Sequence, residues 1–216
     1  LGNLDSLRYL RLHDNSGLRG RLPNALTGTP LNTFRWYGTE LCAPTDAAFQ
    51  QWLDSISDEQ GALNCGDRWV LDWFYRDTGG ENWDDNTNWL TDEPLDDWYG
   101  VSADTLGNVT RLDLSYNDLT GSIPAELGNL ESLWYLNLSS NGLTGSIPAE
   151  LGDLEILADL RLHGNSGLTG PLPNDLTATP LDRFYWYDTG LCAPTDAAFQ
   201  AWLDSIANES GAGDCS

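Results

Sequence analysis

The strongest constraint in this sequence is a 24-residue period. VTRLDLSYNDLTGSIPAELGNLES, starting at Val109, is followed without a gap by LWYLNLSSNGLTGSIPAELGDLEI, ending at Ile156. Leu112, Leu114, Asn117, Leu119, Gly121, Ile123, Pro124, Leu127 and Leu130 recur as Leu136, Leu138, Asn141, Leu143, Gly145, Ile147, Pro148, Leu151 and Leu154. A fixed period in this range marks a chain of stacked coils. Each L-x-L triplet reads as a short strand, because side chains alternate and both leucines then share one face. One coil cannot bury its leucines alone, so stability has to come from the interfaces between neighbours. Asn117 and Asn141 fall where the chain turns away from the strand, and their amides can bond to backbone in adjacent coils. Gly121 and Gly145 suit a tight backbone position, and the Ile-Pro pairs mark a further turn.

These residues spell the L-x-L-x-x-N-x-L core of a leucine-rich repeat. The T-G-x-I-P-x-x-L-G-x-L segment resembles the plant-specific subclass found in receptor-kinase ectodomains, in polygalacturonase-inhibiting proteins and in secreted bacterial tandem proteins. The resemblance implies an α/β solenoid: a right-handed superhelix with short parallel strands on its concave face and helical caps at both ends. It implies binding in general terms and names no ligand.

A longer period lies above the first. Residues 1–65 match 151–215 at a constant offset of 150, with about two thirds of positions identical. LCAPTDAAFQQWLDSI at Leu41 returns as LCAPTDAAFQAWLDSI at Leu191. The expected organisation is the back end of one unit, 1–65, followed by a complete unit, 66–215. The complete unit divides into an N-terminal cap (66–101), coils (102–190) and a C-terminal cap (191–215). The chain enters in mid-repeat, so upstream sequence or another chain is expected to cover its first leucines. Gly66 alone separates the units, a linker that leaves little freedom.

Within the complete unit, DRWVLDWFYRD predicts a helix over 67–77 with Trp69, Val70, Trp73 and Phe74 on one face, stopped by Thr78-Gly79-Gly80. The loop that follows carries Trp83, Trp89 and Trp98 and ends in a W-x-G-V turn, similar to the N-terminal cap of plant-type repeat proteins. The cysteines that flank this turn in the family are missing, with Asp97 and Ala103 near their places, so tryptophan packing is expected to replace a disulfide. LDRFYWYDT reads as the last strand. Thr195 is expected to cap a helix carrying Phe199, Trp202, Leu203 and Ile206 at i, i+3, i+4 and i+7. Cys42 with Cys65 and Cys192 with Cys215, each pair 23 apart, read as one disulfide per C-terminal cap rather than free thiols or a metal site. An oxidising, extracellular or cell-surface setting follows.

The formal net charge is −23, with 33 acidic residues, ten arginines and no lysine. This balance excludes nucleic acid as a partner, since phosphate backbones need basic stripes. No run approaches the ~18 apolar residues of a membrane span, so no membrane insertion is expected. Solubility of a long repetitive chain accounts for the acidity, with screening by salt or divalent cations as a sharper alternative.

Three columns of outward strand residues form the candidate ligand-binding face: Arg111, Tyr135, Asp159 and Arg183; Asp113, Asn137, Arg161 and Tyr185; Ser115, Ser139, His163 and Tyr187. Aromatics, arginines and hydrogen-bonding groups on a rigid sheet suit protein or glycan recognition. They also suit a solvated sheet face with favourable cross-strand pairs. Asp84, Asn86, Asn88 and Asp92 are a candidate calcium set by ligand type, but they fit no EF-hand spacing and read as a polar loop over the tryptophans. His13 and His163 have no serine or cysteine partner in the pattern, no catalytic set emerges, and no cofactor is implied. Asn108, Asn137 and Asn208 head glycosylation acceptor triplets. The expectation is a non-enzymatic structural or adhesive tandem protein forming a rigid rod or fibre by head-to-tail docking, with neighbouring copies of the unit as partners. The alternative is a module that recognises an extracellular protein or polysaccharide on its concave strands.

Overall fold

The computed structural model describes residues 6–15, 18–37, 39–44, 47–60 and 66–215. The chain divides after Gly66 into two compact units. The first contains β1 (Tyr9–Arg11), β2 (Arg19–Arg21), β3 (Thr33–Arg35), β4 (Glu40–Cys42), helix α1 (Ala47–Asp54) and β5 (Asp58–Gln60). β1, β3 and β5 form a parallel sheet in that order, and β2 pairs with β4. Leu26, Phe34, Trp36 and Phe49 are the centre of its core. The expected Cys42–Cys65 pairing lies outside the described residues.

The second unit begins with helix α2 (Asp67–Asp77), and β6 (Val101–Ala103), β7 (Val109–Asp113), β8 (Tyr135–Asn137), β9 (Thr144–Gly145), β10 (Asp159–Arg161), β11 (Gly167–Pro171), β12 (Arg183–Tyr185) and β13 (Gly190–Cys192) follow. It ends with helix α3 (Ala197–Ser205) and β14 (Asn208–Ser210). Its main sheet has the order β14-β12-β10-β8-β7-β6, parallel throughout except for the antiparallel pair of β6 and β7. β9, β11 and β13 make a second parallel sheet. A solenoid is the direct product of the 24-residue period: Leu112, Leu136, Leu160 and Phe184 stand in register on consecutive strands, all fully buried. Each such side chain contributes about 1.5–3 kcal/mol by leaving water. The spine stops at β14, where Glu209 stands opposite Phe184 and its carboxylate accepts the Trp186 indole N–H at 2.7 Å.

On the far side of each coil a short 3-10 helix follows a proline: 125–129 after Pro124, 149–153 after Pro148 and 174–178 after Pro173. Successive turns stack so closely that a Cβ on Gly128 would lie 2.2 Å from the Glu150 carbonyl oxygen, and one on Gly152 2.4 Å from that of Asp175. Thr177 stands at the equivalent place in the last of these turns, where no further one follows.

The ends of the unit differ from the sequence expectation in three respects. The α2 face that packs inward is Val70, Leu71, Trp73 and Phe74, and Trp69 is only half-buried; the helical period gives a stripe but not its phase. Asp196, not Thr195, caps α3, accepting the Phe199 N–H at 3.0 Å. The strand at 183–185 is not the last, since β14 adds to the sheet beyond α3. Cys192 and Cys215 are disulfide-bonded, tying β13 to the end of the unit. Trp83, Trp89 and Trp98 are core residues, and their indole N–H groups donate to the carbonyls of Thr78, Tyr99 and Glu93. At the turn without cysteines, Ala103 N–H donates to the Asp96 carboxylate at 3.1 Å.

Candidate functional site

Strand register sets the outward columns side by side. Arg111, Tyr135, Asp159 and Arg183 are neighbours across β7, β8, β10 and β12, as are Asp113, Asn137, Arg161 and Tyr185. These residues do not form one uniform surface. They separate into a lower layer that holds the face together and an upper layer that meets solvent.

The lower layer holds several of the candidate contact residues in cross-strand pairs. Tyr135, Asn137 and Asp159 are buried. Asp113 accepts hydrogen bonds from Arg111 (2.6 Å), the Tyr135 hydroxyl (3.2 Å), Asn137 (3.0 Å) and Ser115 (2.9 Å), so its four lone-pair directions are used. Asn137 in turn accepts from the backbone and hydroxyl of Ser139. The Asn137 amide is therefore committed inside the network. Asp159, 1% exposed, receives a two-pronged Arg161 guanidinium at 2.8 Å on each oxygen and Arg183 at 3.4 Å. The carboxylate holds the Arg161 guanidinium above its ordinary pKa range.

Planar groups make up the upper layer. The Arg111 guanidinium lies 3.5 Å from the Tyr135 ring centroid, and that of Arg161 lies 5.1 Å from Tyr135 and 5.7 Å from Tyr185. His163 stacks on Tyr187 at 4.6 Å and meets Tyr185 edge-on at 6.2 Å. Burial, then the Arg161 charge, lower the His163 pKa, so the imidazole is neutral at pH 7. Arg183 and Tyr187 are the most open members, with 48% of the Arg183 side chain and 37% of Tyr187 exposed. Trp134, 43% exposed and 5.7 Å from Tyr135, borders the face. The leucine pattern gave no reason to single it out, because it stands one residue ahead of the outward columns.

The acidic loop is organised around its own backbone. Asn86 donates to the Tyr75 hydroxyl and the Gly80 carbonyl, Asn88 to the Asp97 carbonyl, and the Asp85 carboxylate accepts the Thr87 N–H. Among the described residues, no group of three or more His, Cys, Asp or Glu is placed to hold a metal ion. No described helix is long and apolar enough to cross a membrane.

A family model described as leucine rich repeat matches residues 100–143. The fold is similar to the BIR2 ectodomain from Arabidopsis thaliana, with 30% identity and a TM-score of 0.50 over 62% of this chain and 73% of that one. It is also similar to the PEPR1–AtPEP1 crystal structure, with 26% identity and a TM-score of 0.53 over 61% of this chain. The chain spans 19% of the length of that second relative. No curated protein matches it. A solenoid of parallel strands with a 24-residue leucine and asparagine period, and the likeness to BIR2 over most of that ectodomain, place it: the chain belongs to the leucine-rich-repeat proteins.

Proposed function

We propose that the chain is a non-enzymatic, extracellular recognition module that holds a macromolecular partner on the outward face of its main sheet. In this reading the face is the concave side of a right-handed superhelix, closed at its ends by α2 and α3, and the unit runs over 66–215. The observation that carries the proposal is the two-layer face. Asp113 holds Arg111 and Tyr135, Asp159 holds Arg161 and Arg183, and His163 is stacked on Tyr187, so these groups meet a partner already partly ordered. Tyrosine and arginine are also the side chains that dominate binding energy at interfaces. The Cys192–Cys215 bond fits an oxidising compartment.

The test is capture of a partner from the matching extracellular fraction by the immobilised chain, against an Arg183→Glu/Tyr187→Ala variant with the same melting temperature. Loss of capture in the variant is the expected result, and equal capture refutes the reading. A second reading, a rod of units docked head to tail, is favoured by the 150-residue period and the single residue between units. Imaging a chain of four units should then give stiff particles of constant repeat; flexible beads would refute it.

A further inference from the structure

The two histidines of the chain occupy equivalent places, 150 residues apart, and each is stacked on a tyrosine. His13 lies on Tyr37 at 4.8 Å and 10°, and His163 lies on Tyr187 at 4.6 Å and 22°. The preceding outward residue is arginine in both copies, Arg11 and Arg161. Other outward positions on the equivalent strands have changed: Tyr9 corresponds in sequence to Asp159, Thr33 to Arg183 and Arg35 to Tyr185. Even the group beside the histidine differs. Asp14 bonds the His13 Nδ1 at 3.0 Å, whereas Gly164 stands in its place and leaves His163 Nδ1 enclosed without a partner. The stack and its arginine therefore persist while their surroundings vary. Tyr37 and Tyr187 both remain more than a third exposed, so the rings are not there only to be buried.

The chemistry of this patch selects its ligand. A flat aromatic pair presents a negative ring face to the C–H groups of a pyranose, whose hydrogens carry partial positive charge. In the second copy, the charge of Arg161 is offset by the buried Asp159, which makes the pair a donor of hydrogen bonds rather than an ion-exchange site. In the first copy Arg35, at the place of Tyr185, is itself held by Asp58 at 2.6 Å. A chain of net charge −23 repels polyanions at a distance. Planar rings, a guanidinium already paired at Arg161 and hydroxyl-compatible donors fit an uncharged sugar polymer. A subsite copied along one chain suits a ligand that itself repeats.

We infer that each unit carries one copy of an Arg/His/Tyr subsite for a neutral polysaccharide, centred on Arg11, His13 and Tyr37 in one unit and Arg161, His163 and Tyr187 in the next. The inference rests on the sheet face being the binding surface and narrows its partner to a glycan.

Affinity electrophoresis of the full 216-residue chain through gels containing mixed-linkage β-glucan, xyloglucan or galactomannan tests it, with polygalacturonate as the acidic control. Retardation by at least one neutral polymer is expected and none by polygalacturonate. Tyr37→Ala or Tyr187→Ala alone should weaken binding at least 10-fold, and both together should abolish it, with circular dichroism unchanged. Soluble oligosaccharides of the retained polymer should bind at least 10-fold more weakly than the polymer. No retardation by any neutral polymer, retardation only by polygalacturonate, or unchanged retardation of the double variant each overturns the inference. If the chain meanwhile captures a protein through Arg183 and Tyr187, the sheet face stands as a binding surface and only the glycan assignment fails.

Discussion

The Asn165 side chain accepts the backbone N–H of Leu143, 22 residues upstream, at 3.1 Å. Its amide nitrogen donates to the carbonyls of Leu138 and Leu162 at 2.9 and 2.8 Å. One fully buried side chain thus satisfies three backbone groups on two coils. Asn141 does the same one coil earlier, accepting from Asn117 and Leu119 and donating to Leu114 and Leu138. Asn117 ends the ladder on Asp85 of the tryptophan loop, exchanging hydrogen bonds of 2.7 and 2.9 Å.

Asn165→Ala strands the Leu143 N–H and the Leu162 carbonyl, while the Leu138 carbonyl keeps Asn141, at about 1–3 kcal/mol for each buried group left unpaired. Urea titration should show the midpoint fall sharply. Asn165→Asp keeps the acceptor but loses both donors, and it should also be markedly destabilised. A loss under 0.5 kcal/mol for Asn165→Ala would mean the ladder is not a structural support.

Coil spacing on the far side depends on two glycines. Gly152→Ala puts a methyl 2.4 Å from the Asp175 carbonyl oxygen, and backbone on both sides must shift. The cost should be about 1–3 kcal/mol, as for other overpacked sites. Gly142→Ala meets its nearest atom at 3.2 Å and should cost less. Calorimetric melting of the two variants checks the order, and the reverse order would contradict the stacking described.

Asp67 gives a stability dependence on pH opposite to that of a salt-bridged carboxylate. Burial pushes its pKa up to about 6 from 3.8, against the opposing pull of the Val109 N–H at 2.5 Å. A raised carboxyl pKa means the folded state holds its proton more tightly than the unfolded chain. Ionisation therefore costs stability above pH 6, and the cost is gone below pH 3.8. Asp67→Asn should be more stable than the parent by about 1–3 kcal/mol at pH 7, with the difference vanishing near pH 4. A constant difference across that range would rule out titration as its cause.

Asp159 separates framework from surface. Arg161→Met leaves that buried carboxylate with the longer Arg183 contact alone and should cost about 3 kcal/mol or more. Arg183→Met keeps the two-pronged pair and should cost less than 1 kcal/mol. Equal losses would show that the two layers are not distinct. For this reason Arg183 and Tyr187, rather than Arg161, are the positions at which to test binding.

The repeat period alone made the leucine spine, its register and the asparagine ladder legible, because each is a local pattern repeated until coils must stack. β14 was not legible. Asn208, Glu209 and Ser210 carry no apolar alternation, and the strand exists through ladder hydrogen bonds to β12. Burial of Asp159 was hidden for a different reason: a carboxylate reads as surface until two arginines from its own and the next strand are seen to close over it. The His163–Tyr187 stack joins residues one coil apart, a contact that an outward column suggests but cannot orient. Gly128 belongs to the repeated L-G-x-L segment, but the reason for its glycine, the Glu150 carbonyl of the next coil, is a contact between coils that a linear pattern does not contain.

Site-specific photo-crosslinking tests the central claim most directly, with a benzophenone side chain placed either at Tyr187 on the sheet face or at Ser146 on the far side of the coil. The account predicts that a partner, protein or glycan, is trapped from position 187 and not from 146. Trapping from Ser146 with none from Tyr187 would contradict it.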